Sequence, residues 1–170
     1  NNVGLRLIHP SFYKIENVKK LQLQENELKE IPDGIDQMAD LESLSFYKNH
    51  FERIPKGVFQ LSRLKAIDFY YNELKVVPEE IQELHNLEVL YLAHNKIYDL
   101  PESLGFLTNL RELYLHHNRL TSLPETLSGL ELLAVLRVNE NYLMNFPLQL
   151  LDLRQLKDLD ISDNQITAIP

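Results

Sequence analysis

The sequence predicts a right-handed α/β solenoid, an arc of stacked repeats with a parallel β sheet on its concave side and short helical turns or loops on its convex side. Three observations predict this fold. Asparagine recurs every 23 residues, proline recurs in register with it, and a short apolar–polar alternation precedes each asparagine. The asparagines are Asn26, Asn49, Asn72, Asn95, Asn118, Asn141 and Asn164, and the prolines are Pro32, Pro55, Pro78, Pro101, Pro124, Pro147 and Pro170. Self-similarity at such a period is typical of solenoids, in which each repeat packs on its neighbours.

The segment before each asparagine is the predicted strand. Around Leu90 and Leu92, apolar and polar residues alternate, as expected of a short strand with one buried face. Strands that recur in the same direction must pair in parallel, roughly 4.8 Å apart. The repeats therefore form one continuous sheet along the axis of the solenoid.

The seven asparagines are predicted to form a structural ladder. A buried amide side chain can donate to the carbonyl of one repeat and accept from the N–H of another, where the backbone leaves the sheet. Solvated turn asparagines are the alternative, but serine, aspartate or glycine would serve a turn equally well. The retention of asparagine in every repeat favours the ladder.

The segment after each proline is the predicted convex turn. Apolar residues follow at intervals of three, as in Ile81, Leu84 and Leu87. This spacing favours a 3₁₀ or irregular turn over a full α-helix. Proline suits the start of such a turn because it fixes φ and lacks an N–H.

The two ends depart from the repeat. Residues 1–17 contain apolar residues without the repeat spacing and are predicted to form an N-terminal cap. Residues 18–170 are predicted to form seven repeats, the last incomplete. The sequence stops at Pro170, within a unit and without a polar cap. Because solenoids need capped ends, we expect either further chain or weak end-to-end self-association through repeat seven.

The unit LxxLxLxxNxLxx(I/L)PxxIxxLxx resembles the leucine-rich repeat family, in its 23-residue class with an Ile-Pro or Leu-Pro step. Similar repeats occur in bacterial leucine-rich repeat proteins and in Ras-suppressor and Scribble-type scaffolds. The resemblance covers residues 18–170 and implies a horseshoe arc that serves as a platform for partners. Animal extracellular members usually carry cysteine-rich caps, and this chain has no cysteine.

Composition excludes several classes of function. A net charge of −8 without a basic face argues against nucleic-acid binding. Without cysteine there is no disulfide, zinc–thiolate site or thiol catalysis. No apolar run is long enough for membrane insertion, and no catalytic or phosphate-binding motif occurs, so we predict a non-enzymatic protein without cofactor. Bacterial export to the cell surface and a cytoplasmic location both stay open.

Function is predicted on the outward strand positions, which are free to vary. Tyrosine and histidine concentrate there in repeats two to five, and tyrosine is favoured at interfaces. We call this the tyrosine–histidine face and predict that it binds a protein or peptide. Its residues are Tyr47, Tyr70, Tyr71, Tyr91, Ala93, His94, Tyr114, His116, His117 and Arg137. The alternatives are a structural spacer, whose tyrosines only pack across strands, and recognition of a glycan or another ligand.

Two finer expectations concern this face. The small Ala93 among large neighbours predicts a shallow pocket that takes a partner side chain. The tyrosines around it are expected to be exposed. His94, His117 and Glu140 follow one another in a column and could hold zinc. A flat ladder converges poorly on one ion, however, so we predict no metal site.

Overall fold

One sheet of seven parallel strands runs through residues 4–170, the part of the chain that the computed structural model describes. Each strand has three residues and pairs with the next one along the chain, in unbroken order. The strands are β1 (Lys20–Gln22), β2 (Ser43–Ser45), β3 (Ala66–Asp68), β4 (Val89–Tyr91), β5 (Glu112–Tyr114), β6 (Val135–Arg137) and β7 (Asp158–Asp160). The predicted α/β solenoid with a parallel sheet is therefore confirmed.

Short 3₁₀-helices connect the strands, as the spacing of three predicts. They are η1 (Pro10–Lys14), η2 (Ile35–Gln37), η3 (Lys56–Gln60), η4 (Glu79–Glu83), η5 (Glu102–Phe106), η6 (Glu125–Gly129) and η7 (Leu148–Asp152). From η3 onward the repeat proline is the N-cap of the helix, with an extended backbone. The proline thus ends the extended segment and begins the convex turn.

The core is a stack of side chains between the sheet and the 3₁₀-helices. The central residue of each inner strand is buried, as Leu90 and Leu113 illustrate. Phe46, Phe51 and Phe69 replace leucine in adjacent repeats and pack with ring centroids 4.7 to 5.7 Å apart. All three are buried, so they form an aromatic part of the core and not a site.

The asparagine side chains connect each repeat to the one before it. The Asn118 amide donates to the Leu92 carbonyl of the preceding repeat at 3.0 Å and to the Leu115 carbonyl of its own repeat at 3.0 Å. Its Oδ1 accepts from the Ile97 N–H of the preceding repeat at 3.0 Å. The same set of bonds recurs from Asn49 to Asn164. Each side chain therefore satisfies backbone groups that the short strands leave unpaired.

The residue before each ladder asparagine adopts a left-handed backbone conformation. Its φ lies between 50° and 55° in all seven repeats, and none of these residues is glycine. The residues are Glu25, Lys48, Tyr71, His94, His117, Glu140 and Asp163. This conformation is costly for a residue with a Cβ, so the ladder bonds on either side must hold it.

The N-terminal segment continues the ladder. The Leu5 N–H donates to Asn26 Oδ1 at 2.9 Å, and the buried Tyr13 donates its hydroxyl to the Pro32 carbonyl at 3.1 Å. Residues 1–3 of the predicted cap lie outside the described residues. The division at residue 17 and the capping role stay predictions, and these two hydrogen bonds attach the segment to the first repeat.

Burial decreases at the other end of the stack. Leu136 of β6 is buried, whereas its counterpart Leu159 in β7 is exposed, and Ile169 is also exposed. Asp158 and Asp160 border Leu159 on the same strand. The predicted self-association through repeat seven is compatible with this apolar surface and stays a prediction.

Candidate functional site

The sheet places the tyrosine–histidine face on one continuous surface. In the parallel register, Asp68 lies beside Tyr91, Tyr91 beside Tyr114, and Tyr114 beside Arg137. Residues two and three positions after the last residue of each strand form further columns on the same surface. The sequence repeat therefore becomes a lateral array, in which side chains 23 residues apart are neighbours.

Tyr91 and Tyr114 form the central aromatic pair. Their rings stack with centroids 4.7 Å apart and planes inclined by 15°, and the Tyr114 hydroxyl donates to Glu112 Oε2 at 2.8 Å. Burial and then the Glu112 carboxylate raise the pKa of Tyr114 to about 12. Both tyrosines are half-buried by this packing, so they are less exposed than the sequence suggested.

A second cluster joins tyrosines and histidines along the neighbouring columns. His94 lies between two rings, with its centroid 4.1 Å from Tyr71 and 3.8 Å from His117, stacked on both. Tyr47 stacks on Tyr70 at 5.9 Å. His117 Nδ1 lies 2.7 Å from the Glu140 carboxylate. Tyr71, His94 and His117 share the left-handed backbone conformation, with φ of 55°, 51° and 52°.

The histidine cluster resists protonation at its centre. The pKa of His94 falls from its ordinary 6.5 to about 4, first because of burial and then because of the charges of His117 and His116. Burial and the His117 charge also lower the pKa of His116. At neutral pH the stacked rings are therefore uncharged at the centre, which suits contact with aromatic or apolar groups.

The shifted pKa of His94 predicts a loss of stability in acid. An unfolded histidine binds a proton below about pH 6.5, whereas folded His94 does so only near pH 4. The unfolded state thus binds more protons in this window, so the free energy of unfolding falls as pH decreases from 6.5 toward 4. Above pH 6.5 the contribution of neutral His94 is complete. Urea midpoints measured across this range should show the decline.

A variant separates His94 from the carboxylates that titrate in the same window. His94→Gln should lose less stability than the wild type over this range, because the carboxylates are the same in both chains. His85→Gln is the matched control, since His85 is exposed and lies outside the cluster. A His94→Gln chain that keeps the full wild-type pH slope would contradict the assignment.

The shallow pocket that the sequence predicts at Ala93 is covered by neighbouring side chains. The Tyr70 hydroxyl and His116 Nε2 meet at 3.0 Å, and these residues lie two repeats apart, one on each side of Ala93. Ala93 has 0% exposure beneath them. A partner can reach Ala93 only if Tyr70 and His116 separate. His116 Nδ1 is buried without a hydrogen-bond partner in the described residues.

Arg137 is occupied by acidic residues of the last strand. Its guanidinium lies 2.5 Å from the Asp158 carboxylate and 3.2 Å from that of Asp160. Asp158 and Asp160 thus offset the positive charge of Arg137. The tyrosine–histidine face therefore has less free positive charge than its residue types suggest.

Two carboxylates, of Asp68 and Glu112, flank the central tyrosines. Neither is among the site residues predicted from the sequence. Asp68 is half-buried and accepts from the Tyr70 N–H at 2.8 Å and from the Ser45 hydroxyl at 3.1 Å. Burial raises the pKa of its carboxyl. Glu112 accepts from the Tyr114 hydroxyl. Both residues stand in the outward columns of the repeat, which is the sequence signal that could have identified them.

Neither metal nor membrane features accompany this face. Within residues 4–170, no group of three histidine, aspartate or glutamate side chains is placed to hold a metal ion. In the same part of the chain, no helix has the length and apolarity to cross a membrane.

Sequence models and solved structures agree on the family. A leucine rich repeat model matches residues 41–97, and a model of two leucine-rich repeats matches residues 85–132. The chain belongs to the leucine-rich repeat family. Members of this family are generally non-enzymatic interaction modules. A search of curated proteins found no match to this leucine-rich repeat chain.

Similar solved structures include bacterial and plant proteins. A leucine-rich repeat protein of Leptospira interrogans is 29% identical over 98% of this chain, with a TM-score of 0.85. The ectodomain of the Arabidopsis thaliana receptor kinase GASSHO1/SCHENGEN3, solved in complex with CASPARIAN STRIP INTEGRITY FACTOR 2, is 33% identical over 93%, with a TM-score of 0.81.

An internalin of Listeria monocytogenes is 27% identical over 85% of this leucine-rich repeat chain, with a TM-score of 0.70. The chain spans 48%, 20% and 42% of the Leptospira, Arabidopsis and Listeria proteins, respectively. It therefore corresponds to half or less of each relative.

Proposed function

We propose that this chain is a non-enzymatic protein- or peptide-binding module and that the tyrosine–histidine face is its binding surface. The observation that carries the proposal is the contiguity of the face. Packed rings extend from Tyr47 through Tyr71 and His94 to His117, with the Tyr91–Tyr114 pair beside them. Rigid aromatic surface with polar tips is the composition that protein interfaces favour.

The relatives support the same class of function. The Arabidopsis ectodomain was solved with a bound factor, so a leucine-rich repeat arc of similar fold does bind a partner. The similarity to the Leptospira and Listeria proteins supports a bacterial origin. A binding role also explains why the aromatic rings are gathered on the outward columns, where the core does not require them.

A displayed random-peptide library tests this proposal while the natural partner is unidentified. The wild-type chain should enrich peptides, and the double variant Tyr91→Ser/Tyr114→Ser should lose them, with affinity reduced at least about tenfold. The melting temperature should change little, because a cross-strand pair contributes only about 0.2–1 kcal/mol. Binding of each enriched peptide is then measured by isothermal titration calorimetry.

The chain offers a matched control for this experiment. Tyr98 and Tyr142 are 57% and 49% exposed and lie outside the tyrosine–histidine face. Tyr98→Ser/Tyr142→Ser should keep every enriched peptide. If no peptide is enriched, or if both double variants bind equally, the face is structural packing and the spacer function is correct. Enrichment on a glycan array alone would favour carbohydrate recognition.

A further inference from the structure

We propose, building on the proposed function, that the face selects a cationic partner. An arginine side chain of an extended partner segment stacks on the face of the Tyr91 ring that lies toward Asp68, and the Glu112 carboxylate adds negative charge from the far side of the ring.

The strand register surrounds Tyr91 with acidic groups. Asp68 is its direct partner on β3, and neighbouring strands are about 4.8 Å apart. One ring face of Tyr91 is covered by Tyr114, so the other face is turned toward the β3 side, where Asp68 lies. Glu112 lies on the opposite side and is fixed by the Tyr114 hydroxyl at 2.8 Å. A cation on the ring face away from Tyr114 would therefore lie beside Asp68, and Glu112 would add negative charge from the far side of the stacked rings.

The local charge is negative and is not neutralised by this chain's own cations. Burial raises the pKa of Tyr91, and the Glu112 and Asp68 carboxylates raise it further. Both groups that donate to Asp68 are neutral. Arg137, beside Tyr114 in the register, pairs instead with Asp158 and Asp160. A positive partner group would supply the counter-charge that the half-buried Asp68 carboxylate does not have within this chain.

The geometry favours arginine among the possible cations. A guanidinium is planar, stacks on an aromatic ring and can donate to a carboxylate at the same time. A lysine ammonium is a compact and strongly hydrated charge, so it uses the ring face less well. A neutral sugar could stack on the ring and donate its hydroxyls to the carboxylates, but it would not neutralise their charge.

Paired peptides test the charge preference directly. The probe is a short alternating glycine–arginine peptide with blocked ends, compared with the same peptide carrying citrulline, which keeps the planar shape and removes the charge. The arginine peptide should bind the wild-type chain about fivefold or more tightly. A lysine peptide should bind with intermediate affinity. Binding should weaken as salt is added, because the carboxylates are partly exposed.

Matched variants locate the contact. Asp68→Asn keeps an oxygen for the Tyr70 N–H, and Glu112→Gln keeps its size, so both remove charge with little change in shape. Each should weaken arginine-peptide binding about two- to fivefold and leave citrulline-peptide binding unchanged. Asp163→Asn, on the exposed last repeat, is the control and should bind as the wild type does. Circular dichroism melts confirm that each variant is folded.

The possible outcomes distinguish the arginine contact from the proposed protein- or peptide-binding function. The cationic contact is wrong if arginine and citrulline peptides bind equally, or if Asp163→Asn weakens binding as much as Glu112→Gln. Neither result would contradict the proposed binding function of the face. If neither peptide binds while the displayed library yields face-dependent peptides, the charge preference alone is overturned. If the library also fails, the proposed function is overturned together with it.

Discussion

Replacement of Asn118 by alanine should lower the free energy of unfolding by roughly 1–3 kcal/mol. The substitution leaves the Ile97 N–H of the preceding repeat without its acceptor, whereas the Leu92 carbonyl loses one donor and keeps the Asn95 side chain at 3.0 Å. A buried polar group left unpaired costs about 1–3 kcal/mol, and the Ile97 N–H becomes such a group. Urea unfolding followed by far-UV circular dichroism measures the loss.

The position in the stack decides the size of this effect. Asn164 makes the equivalent bonds to Leu143 and Val138, but it is only half-buried, so water can replace part of the lost bonding. Asn164→Ala should therefore cost less than Asn118→Ala. Asn139→Ala, an outward asparagine, is the control and should change stability by less than about 0.5 kcal/mol. Similar and negligible losses at all three positions would rule out a stabilising ladder.

The repeat period made most of the fold predictable. A fixed interval between asparagines assigns every residue to a column, and the column determines whether a side chain is inward or outward. Leu90 and Leu92 could therefore be placed in the core, and Tyr91 on the surface, without coordinates. The 3₁₀ turns followed in the same way from the spacing of apolar residues after each proline.

Side-chain conformation is what the period could not supply. The sequence places Tyr70, Ala93 and His116 in one column, but not the hydrogen bond by which Tyr70 and His116 cover the alanine. It likewise gives Arg137 and Asp160 as neighbours without showing that the arginine turns toward the last strand. Rotamers depend on all neighbours at once, so columns identify candidate residues and not their accessibility.

A second large effect is expected at Gly105, on the convex side. A Cβ built at this position would lie 2.1 Å from the carbonyl oxygen of Thr126 and 2.5 Å from its carbonyl carbon. These are backbone atoms, and Glu102 holds them in place by accepting from the Thr126 N–H at 3.0 Å. Gly105→Ala must therefore separate η5 from η6. Overpacking of this kind costs about 1–3 kcal/mol, or more where the backbone has to move.

The matched substitution at Gly57 tests whether the backbone contact is the cause. A Cβ at Gly57 would meet the Cγ2 methyl group of Ile35 at 2.9 Å, and this side chain has more freedom to adjust than the Thr126 backbone. Gly57→Ala should therefore cost less than Gly105→Ala in the same urea experiment. Because each repeat packs on its neighbours, the Gly105→Ala chain should also lose amide protection first between repeats four and five. Equal losses for the two glycines, with protection lowered evenly along the chain, would show that the close approach at Thr126 relaxes freely and does not fix the spacing of the convex side.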